Sequence, residues 1–194
     1  MMKEVKYITT LHRDNITAWQ TQAPAITEQG FYALVQANLQ YNFLLWQAED
    51  RARRDDKGFE FVYQAKREID GFNQKRNDLI EQMDQALVKE LKPADNCPAN
   101  SETPGAMIDR LAILALKNYY MAQQTLRTDV SAHHVQQCQQ KLAVIGMQLD
   151  HLSDALNALF HDVIQKKRTF KVYYQFKMYN DPTLNPQLYE DTTT

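Results

Sequence analysis

The sequence predicts an all-α fold, an up-and-down bundle of about five long helices that forms a single domain over residues 1–194. The placement of proline is the first observation behind this prediction. Prolines are absent from 25–92 and from 105–181. Because a proline inside a helix costs about 3 kcal/mol, such stretches permit long helices. The prolines cluster instead at 93–104 and after 180, where we expect a loop and a tail.

Hydrophobic periodicity places the helices at about 9–21, 28–56, 59–91, 104–127 and 132–168. The segment Asp55-Asp56-Lys57-Gly58 is typical of a tight turn between two helices, and 92–100 is typical of a longer loop. Short connections make neighbouring helices antiparallel, which gives the up-and-down arrangement.

The last predicted helix carries a heptad pattern. Its apolar residues are spaced alternately by three and four positions: Val135, Cys138, Leu142, Ile145, Leu149, Leu152, Leu156, Leu159 and Val163. Such a seam is typical of helices that pack along one face. Two interpretations stay open. Either the helix buries this face inside its own bundle, or it forms a coiled coil with a second copy in a homodimer.

Beyond residue 169 the period changes from helical to two. The apolar or aromatic residues Phe170, Val172, Tyr174, Phe176 and Met178 alternate with more polar neighbours, which indicates an extended segment with one apolar face. We therefore expect 169–194 to form an extended aromatic arm that crosses the bundle or a partner subunit.

Composition and charge exclude several classes of function. The net charge is −2 and the isoelectric point is near 6.2, so the overall charge does not favour binding to nucleic acid or to an anionic membrane. No stretch approaches the roughly 18 apolar residues of a membrane span. The first dozen residues contain no apolar run typical of a signal peptide. We expect a cytoplasmic protein with no membrane span and no nucleic-acid partner.

Motifs for metals and cofactors are also absent from the sequence. Cys97 and Cys138 form no Cys-x-x-Cys pair, so we expect two reduced thiols. His134 and Cys138 are four residues apart, but no further metal ligands follow them. No Glu-x-x-His pair, P-loop or dinucleotide-binding glycine motif occurs. The sequence therefore predicts no metal site and no cofactor.

Polar residues on the apolar face of the second predicted helix are the first candidates for a site. Asn38, Asn42 and Glu49 fall within the stripe that its apolar residues define. Trp46 flanks them, and Arg53 lies one turn after Glu49. Burying such groups is unfavourable unless they are paired, so we expect them to find partners inside the bundle.

The third predicted helix places Arg76 at the centre of its own apolar stripe, with Asn73 at the edge. We therefore predict a contact between Glu49 and Arg76. The remaining hydrogen-bond positions would be filled by the amides of Asn38, Asn42 and Asn73. This network either fixes helix register or lines a polar ligand cavity between helices.

The fourth predicted helix begins with a possible anion site at Ser101-Glu102-Thr103-Pro104-Gly105. Thr103 suits the N-cap, Pro104 the first helical position, and Gly105 lets another group approach the backbone closely. The free N–H groups and the dipole of such a terminus favour an anion.

Two cations, Arg110 and Lys117, lie seven residues apart on one face of the fourth helix. The helix terminus and these cations would together hold a phosphate or a carboxylate. In the alternative, Glu102 or Asp109 fills that role from within the chain.

Four blocks of the sequence resemble the domain of unknown function 4254 family of bacteria. They are Trp46-x-x-Glu49-Asp50-x-Ala52-Arg53, Ile69-Asp70-x-x-Asn73-x-x-Arg76-Asn77-Asp78-x-Ile80-Glu81, Ser101-Glu102-Thr103-Pro104-Gly105-x-x-Ile108-Asp109-Arg110-Leu111-x-Ile113-Leu114-x-Leu116-Lys117, and Gln175-Phe176-Lys177-Met178-Tyr179-Asn180-Asp181-Pro182. The resemblance covers nearly the whole chain. One departure is Gln47, where we expect the family to carry a histidine. If that histidine is catalytic, this chain lacks it.

The resemblance implies a helical protein without an established activity. It also implies a cytoplasmic role in glycan assembly, because genes of this family often lie beside glycosyltransferases and other surface-polysaccharide genes. A binding or accessory module for polysaccharide or lipopolysaccharide biosynthesis would hold a phosphorylated sugar, a nucleotide-sugar or a glycosyltransferase partner.

Two alternative functions remain open at this point. One is an enzyme that acts on a sugar or sugar phosphate with Glu49 or Asp50 as the acid–base group. The other is an oligomeric coiled-coil scaffold without a ligand. For a ligand site, the expected residues are Asn38, Trp46, Glu49, Arg53, Asn73, Arg76, Asn77, Ser101, Thr103, Gly105, Asp109, Arg110 and Lys117.

Overall fold

The computed structural model describes residues 4–189 and confirms the all-α bundle. Its helices are α1 (Val5–Ala18), α2 (Gly30–Arg51), α3 (Phe59–Leu91), α4 (Pro104–Thr125), α5 (Ala132–Ile164) and the single turn α6 (Pro186–Tyr189). Two short 3-10 turns lie at Asp55–Lys57 and Met178–Asn180. Among these described helices, none combines the length and the apolar character that a membrane span requires.

Predicted and observed helix ends agree where the sequence carries a local signal, either a turn or a capping side chain. Helix α3 has the predicted bounds, and α4 begins at Pro104 as expected. Its N-cap residue Thr103 accepts a hydrogen bond from the Ala106 N–H at 3.2 Å. Ser131 caps α5 in the same way by accepting from the His134 N–H. These local hydrogen bonds explain why the starts of α4 and α5 are readable from the sequence.

Three helix ends differ from the prediction by four residues or more. Helix α1 begins at Val5 rather than at 9, because Val5 and Ile8 extend its buried face by one turn. Helix α2 ends at Arg51 rather than at 56, since the chain enters the 3-10 turn and then a positive φ of 86° at Gly58. Helix α5 ends at Ile164 rather than at 168, and Lys166 follows it with a left-handed φ of 57°.

Helix α4 lies at the centre of the bundle and contacts α1, α2, α3 and α5. The pairs α2–α3 and α4–α5 form the two closest-packed hairpins. The core residues of α4 are Met107, Ile108, Leu111, Ala112 and Leu116. As a result, side chains from four other helices converge on α4, and any polar residue on its inner faces must find partners among them.

The heptad seam of α5 packs inside the chain's own bundle. Leu152, Leu156, Leu159 and Val163 are buried in the main core cluster together with Leu111. The remaining seam residues are half-buried or buried, and the main partner of α5 is α4. Within the chain, neighbouring helices therefore cover the C-terminal half of this face, as the first interpretation predicts, and the coiled coil with a second copy stays a prediction.

The arm that follows α5 is fixed at its start. The Asn100 N–H donates to the Thr169 carbonyl at 2.7 Å, and the Thr169 N–H donates to the Pro98 carbonyl at 2.9 Å. Phe170 then enters the core, where it is 2% exposed. The first residues of the arm thus hold the loop between α3 and α4 against the bundle.

Past Val172 the apolar side chains do not pack on the chain's own bundle, and the contact with a partner subunit stays a prediction. Phe176 is 79% exposed, and Tyr174 and Met178 are more than half exposed. A positive φ of 39° at Phe176 and the following 3-10 turn break the period of two. Polar contacts hold this part of the arm on α3, as in the 2.8 Å hydrogen bond from the Gln175 N–H to Glu81. The last predicted arm residues, 190–194, lie outside the described part of the chain.

Helices α3 and α4 approach each other closely at Gly105. A Cβ atom built on Gly105 would lie 2.6 Å from the Ile80 carbonyl oxygen and 2.8 Å from the Asp84 carboxylate. Both distances are too short for a carbon contact, so no larger residue fits without moving a helix. The predicted close approach at Gly105 is therefore observed, and the approaching group belongs to α3.

We expect Gly105→Ala to lower the free energy of unfolding by about 1–3 kcal/mol, because the added methyl group forces α3 and α4 apart. The matched control is Gly146→Ala in α5, where an added Cβ meets nothing within 4 Å. This control should raise stability by about 0.5–1 kcal/mol, since alanine favours the helix. Urea unfolding of both variants provides the measurement, and equal effects would contradict the packing argument.

Candidate functional site

A single carboxylate, that of Asp109 on α4, joins three helices. Its Oδ1 accepts hydrogen bonds from Asn38 Nδ2 at 3.0 Å, Asn42 Nδ2 at 2.9 Å and Arg76 Nε at 2.7 Å. Its Oδ2 accepts a fourth from Arg76 Nη2 at 2.8 Å. The side chain of Asp109 is only 5% exposed. Four donors from α2 and α3 therefore satisfy a carboxylate that is almost completely removed from water.

The predicted contact between Glu49 and Arg76 is wrong, because Arg76 pairs with Asp109 instead. Glu49 forms an ion pair with Arg53 one turn away, at 2.7 Å. The side chain of Glu49 is 40% exposed, so that carboxylate keeps much of its water. The electrostatic attraction between two unit charges is stronger where water is excluded, which favours the buried partner for Arg76.

One edge of this network opens into a cavity of about 350 Å³, which we call the Trp46 cavity. Trp46 stacks on Tyr120 with ring centroids 4.7 Å apart and an interplanar angle of 11°. The cavity brings together many of the predicted site residues, and its lining comprises Asn42, Leu45, Trp46, Glu49, Asp50, Arg53, Asn73, Arg76, Ile113 and Leu116. The buried network thus forms part of a wall that a ligand can reach.

A second cavity of about 470 Å³ lies between α4 and α5, and we call it the Lys117 cavity. It is lined by Glu102, Met107, Arg110, Ile113, Leu114, Lys117, Gln148, His151, Leu152 and Ala155. Because Ile113 lines both cavities, the two adjoin along α4. We refer to them together as the α4 groove.

The two ends of the α4 groove carry opposite charge. In the Trp46 cavity Glu49 pairs with Arg53 and Arg76 pairs with Asp109, which leaves the carboxylate of Asp50 without an ion-pair partner among residues 4–189. In the Lys117 cavity the Arg110 guanidinium lies 2.6 Å from the Glu102 carboxylate.

Lys117, by contrast, forms no ion pair with any residue that the structure describes. The excess charge is therefore negative near Asp50 and positive near Lys117.

The N-terminus of α4 has no free N–H group for an anionic ligand, which corrects the expectation for this segment. The Gly105 N–H donates to Asp84 Oδ1 at 2.7 Å. The next two N–H groups donate to the side chain and the carbonyl of Thr103. An internal carboxylate does occupy the terminus, but it is Asp84 of α3 rather than Glu102 or Asp109.

The remaining predicted site residues lie apart from the α4 groove. Ser101 and Thr103 line a shallow cavity beneath the arm, next to Tyr173. Asn77 is half-buried on α3 and is not part of the lining of either cavity. The structure thus separates the predicted site residues into a groove and a helix contact.

Four other buried polar residues were not predicted to lie inside the bundle: His12, Gln36, Asp84 and Thr169. Asp84 lies one turn after Ile80 and one turn before Leu87, so the phasing used for Arg76 also points it inward. His12 lies one turn after Ile8 and one turn before Ile16, but the helix was predicted to begin after Ile8. A longer first helix would have indicated His12.

Metal ligands do not cluster in the part of the chain that the structure describes. No group of three or more His, Cys, Asp or Glu residues is placed there to hold an ion. Cys138 Sγ lies 3.4 Å from His134 Nε2, and neither cysteine is in a disulfide. The chemistry that the α4 groove offers is therefore hydrogen bonding and charge, from carboxylates, amides and cations beside one indole ring.

The fold and the groove define an all-α bundle protein whose central helix borders a polar groove. The family model described as "Protein of unknown function (DUF4254)" matches residues 32–172. This chain belongs to that family. Three of the four sequence blocks lie within the match, and the block at 175–182 lies beyond it. No curated protein and no solved structure matches the chain.

We expect Asp109→Asn to lower the free energy of unfolding by about 3–5 kcal/mol, because it leaves the Arg76 guanidinium half-buried without a counter-charge. The comparison is Glu49→Gln, which breaks an exposed pair and should cost less than about 1 kcal/mol. Urea unfolding at neutral pH provides the measurement. A small effect at Asp109 would contradict its place at the centre of the network.

Asp84 should make stability depend on pH. Burial raises the pKa of Asp84 from 3.8 to about 6, and hydrogen bonds with Thr103 and Gly105 act in the opposite sense. Between pH 3.8 and about 6 the Asp84 carboxyl stays protonated in the folded protein, whereas it is ionised in the unfolded chain. The contribution of Asp84 to the free energy of unfolding is therefore complete below about pH 4 and is lost as the pH rises through about 6.

Replacing Asp84 with Asn removes this dependence, while the amide oxygen still accepts from Gly105. We expect the stability of Asp84→Asn relative to the wild type to rise between about pH 4 and pH 7, by at most about 3 kcal/mol. Urea unfolding across that range checks it. Asp70→Asn, at an exposed position of α3, controls for the lost negative charge. A difference that stays flat with pH would exclude Asp84 as the source.

Proposed function

We propose that this protein is a binding module of surface-glycan assembly that holds a phosphorylated sugar in the α4 groove. The observation that carries the proposal is the separation of charge along the groove, with Asp50 at one end and Lys117 at the other. A sugar phosphate matches this arrangement, because its hydroxyl groups can donate hydrogen bonds to carboxylates at one end and its phosphate binds cations at the other.

The Trp46 cavity would receive the sugar ring. Its indole is held in place by stacking on Tyr120, so it offers a fixed flat apolar surface. Around it, Glu49 and Asp50 can accept hydrogen bonds from sugar hydroxyls, and the Asn73 amide can both donate and accept. A few polar groups around an aromatic surface are typical of small-molecule sites.

The Lys117 cavity would receive the phosphate. Lys117 has a charge that no described residue neutralises, and Arg110 is held only by the partly exposed carboxylate of Glu102. A phosphate dianion competes well for a guanidinium, because it can accept two parallel hydrogen bonds from it. Near Asp50 the same dianion would be repelled. The charges of the groove therefore favour one orientation of the ligand.

Membership of the family supports the proposed role in surface-glycan assembly through the genes that accompany the family, and not through any contact in the structure. The resemblance implies a role beside glycosyltransferases, and phosphorylated sugars are the donors and intermediates that such a role requires. A protein that holds one of them would act as a carrier or as an accessory subunit. Neither of these activities needs a catalytic group in the groove.

We expect Lys117→Ala to weaken the binding of glucose 1-phosphate about tenfold or more, since it removes the uncompensated cation and a charge-assisted interaction of about 1.5–3 kcal/mol. Isothermal titration calorimetry at low and high salt checks this, and the wild-type affinity should fall with added salt. Lys89→Ala is the control, because it removes the same charge from an exposed position outside both cavities.

Binding of unphosphorylated glucose should be weaker than that of glucose 1-phosphate and unaffected by Lys117→Ala. The proposal fails if the wild type binds neither glucose 1-phosphate nor a nucleotide-sugar such as UDP-glucose. It also fails if Lys117→Ala and Lys89→Ala bind glucose 1-phosphate with equal affinity.

A further inference from the structure

The segment 163–180, which joins the end of α5 to the arm, differs in charge from the whole chain. It contains five of the 22 lysines and arginines and none of the 24 acidic residues, whereas the net charge of the chain is −2. Arg168 forms an ion pair with Asp162 at 3.3 Å. The other four cations form no ion pair with any residue of 4–189, and they are Lys166, Lys167, Lys171 and Lys177. Three of these lysines are exposed, and Lys177 is half-buried.

The same segment exposes large apolar side chains. Phe176 is 79% exposed, and Tyr179 and Met178 are 62% and 56% exposed. Tyr174 is 52% exposed, and its ring centroid lies 5.7 Å from that of Phe176. We call these four side chains together with the four lysines the cationic arm surface. It presents apolar groups and positive charge to solvent over a short stretch of chain.

The arm contacts α3 through its polar groups. The Gln175 N–H donates to Glu81 at 2.8 Å, and Asn180 Nδ2 donates to Gln74 Oε1 at 3.1 Å. Between these two contacts, Phe176 has a left-handed φ of 39°, which is uncommon for a residue with a side chain. The fold does not offset the cost of this conformation by burying the ring. A strained and exposed aromatic residue therefore indicates a contact outside the chain.

We propose that the cationic arm surface docks on an anionic lipid bilayer. Tyrosine and other aromatic rings favour the boundary between head groups and acyl chains, where the ring leaves water and the hydroxyl group stays in it. Lysines near the bilayer are attracted to anionic head groups, and their long stems lie along apolar surface. The contact is confined to the bilayer surface and uses no membrane-spanning helix.

A nucleic acid also binds surfaces that combine cations with aromatic rings, but it stacks its bases on flat ring faces. The rings of Tyr174 and Phe176 are tilted by 44° relative to each other, so they form no parallel platform. Met178 and the nearby Leu184, which is 48% exposed, have no ring on which a base can stack. Both can bury apolar area in a bilayer, so the observations favour lipid.

The test is flotation of the full chain with vesicles of two compositions. One contains phosphatidylcholine alone, and the other contains equal amounts of phosphatidylcholine and phosphatidylglycerol. At low salt we expect the protein to float with the anionic vesicles and to remain unbound with the neutral ones. Added salt should weaken the binding, because it screens the attraction between the lysines and the head groups.

Two variants separate the contributions of charge and of apolar contact. Lys166→Ala/Lys167→Ala should lower the partition coefficient to anionic vesicles about 30-fold, which corresponds to about 1 kcal/mol for each lysine. Its matched control is Lys57→Ala/Lys141→Ala, which removes the same charge at exposed positions before α3 and in the first third of α5. Phe176→Asn should lower the coefficient about tenfold. Asparagine tolerates the left-handed backbone, so this change removes the ring and keeps the turn.

The proposal is overturned if the wild type does not float with the anionic vesicles, or if it floats equally well with both kinds. Equal binding by the two lysine double variants also overturns it. So does a Phe176→Asn variant that binds vesicles like the wild type but has lost a dimer on size exclusion, since a second copy would then cover the ring. Tight binding of a single-stranded oligonucleotide without vesicle binding would assign the surface to nucleic acid instead.

The inference does not rest on the proposed function, because no residue of the cationic arm surface lines either cavity of the α4 groove. Lys117→Ala should therefore float with anionic vesicles like the wild type. Conversely, Lys166→Ala/Lys167→Ala should bind glucose 1-phosphate with unchanged affinity. A failure of one proposal is thus distinguishable from a failure of the other.

Discussion

The structure depends on one carboxylate. Asp109 lies on the helix that all other long helices contact, and it binds an arginine from α3 and two amides from α2. A buried charge of this kind tolerates no loss of partner, so it fixes how the three helices are rotated and aligned. The outer side of the same network, at Asn42 and Arg76, forms part of the Trp46 cavity. Fold specificity and ligand access thus share one set of side chains.

Much of the fold could be predicted from the sequence because its determinants are local. Proline-free stretches, the Thr103 cap and the turn before Phe59 each act within a few residues, and these gave the bounds of α3 and the start of α4. The arm was predicted less well. Its period of two was real as a pattern of residues, but Tyr174 is already half exposed, and the left-handed backbone at Phe176 then ends the extended conformation. A backbone turn of this kind leaves no mark on hydrophobic periodicity.

The candidate site could be predicted only in part, and the reason is geometric. Periodicity states which face of a helix a residue occupies, so Asn38, Asn42 and Arg76 were correctly turned inward. It does not state which residue of another helix lies opposite, because that depends on the relative rotation and height of the two helices. Hence Arg76 was paired with Glu49 instead of Asp109. His12 was missed for a simpler reason, an error of one turn in the start of its helix.

The stacking of Trp46 on Tyr120 has a consequence for spectroscopy. The chain has two tryptophans, and they occupy different surroundings. Trp19 is 6% exposed and packs edge-on against Phe43 in the interior, whereas Trp46 is half-buried in the lining of the α4 groove. A dissolved collisional quencher can therefore reach one indole and not the other. The quenchable fraction of the intrinsic fluorescence reports whether the groove is occupied, without any label.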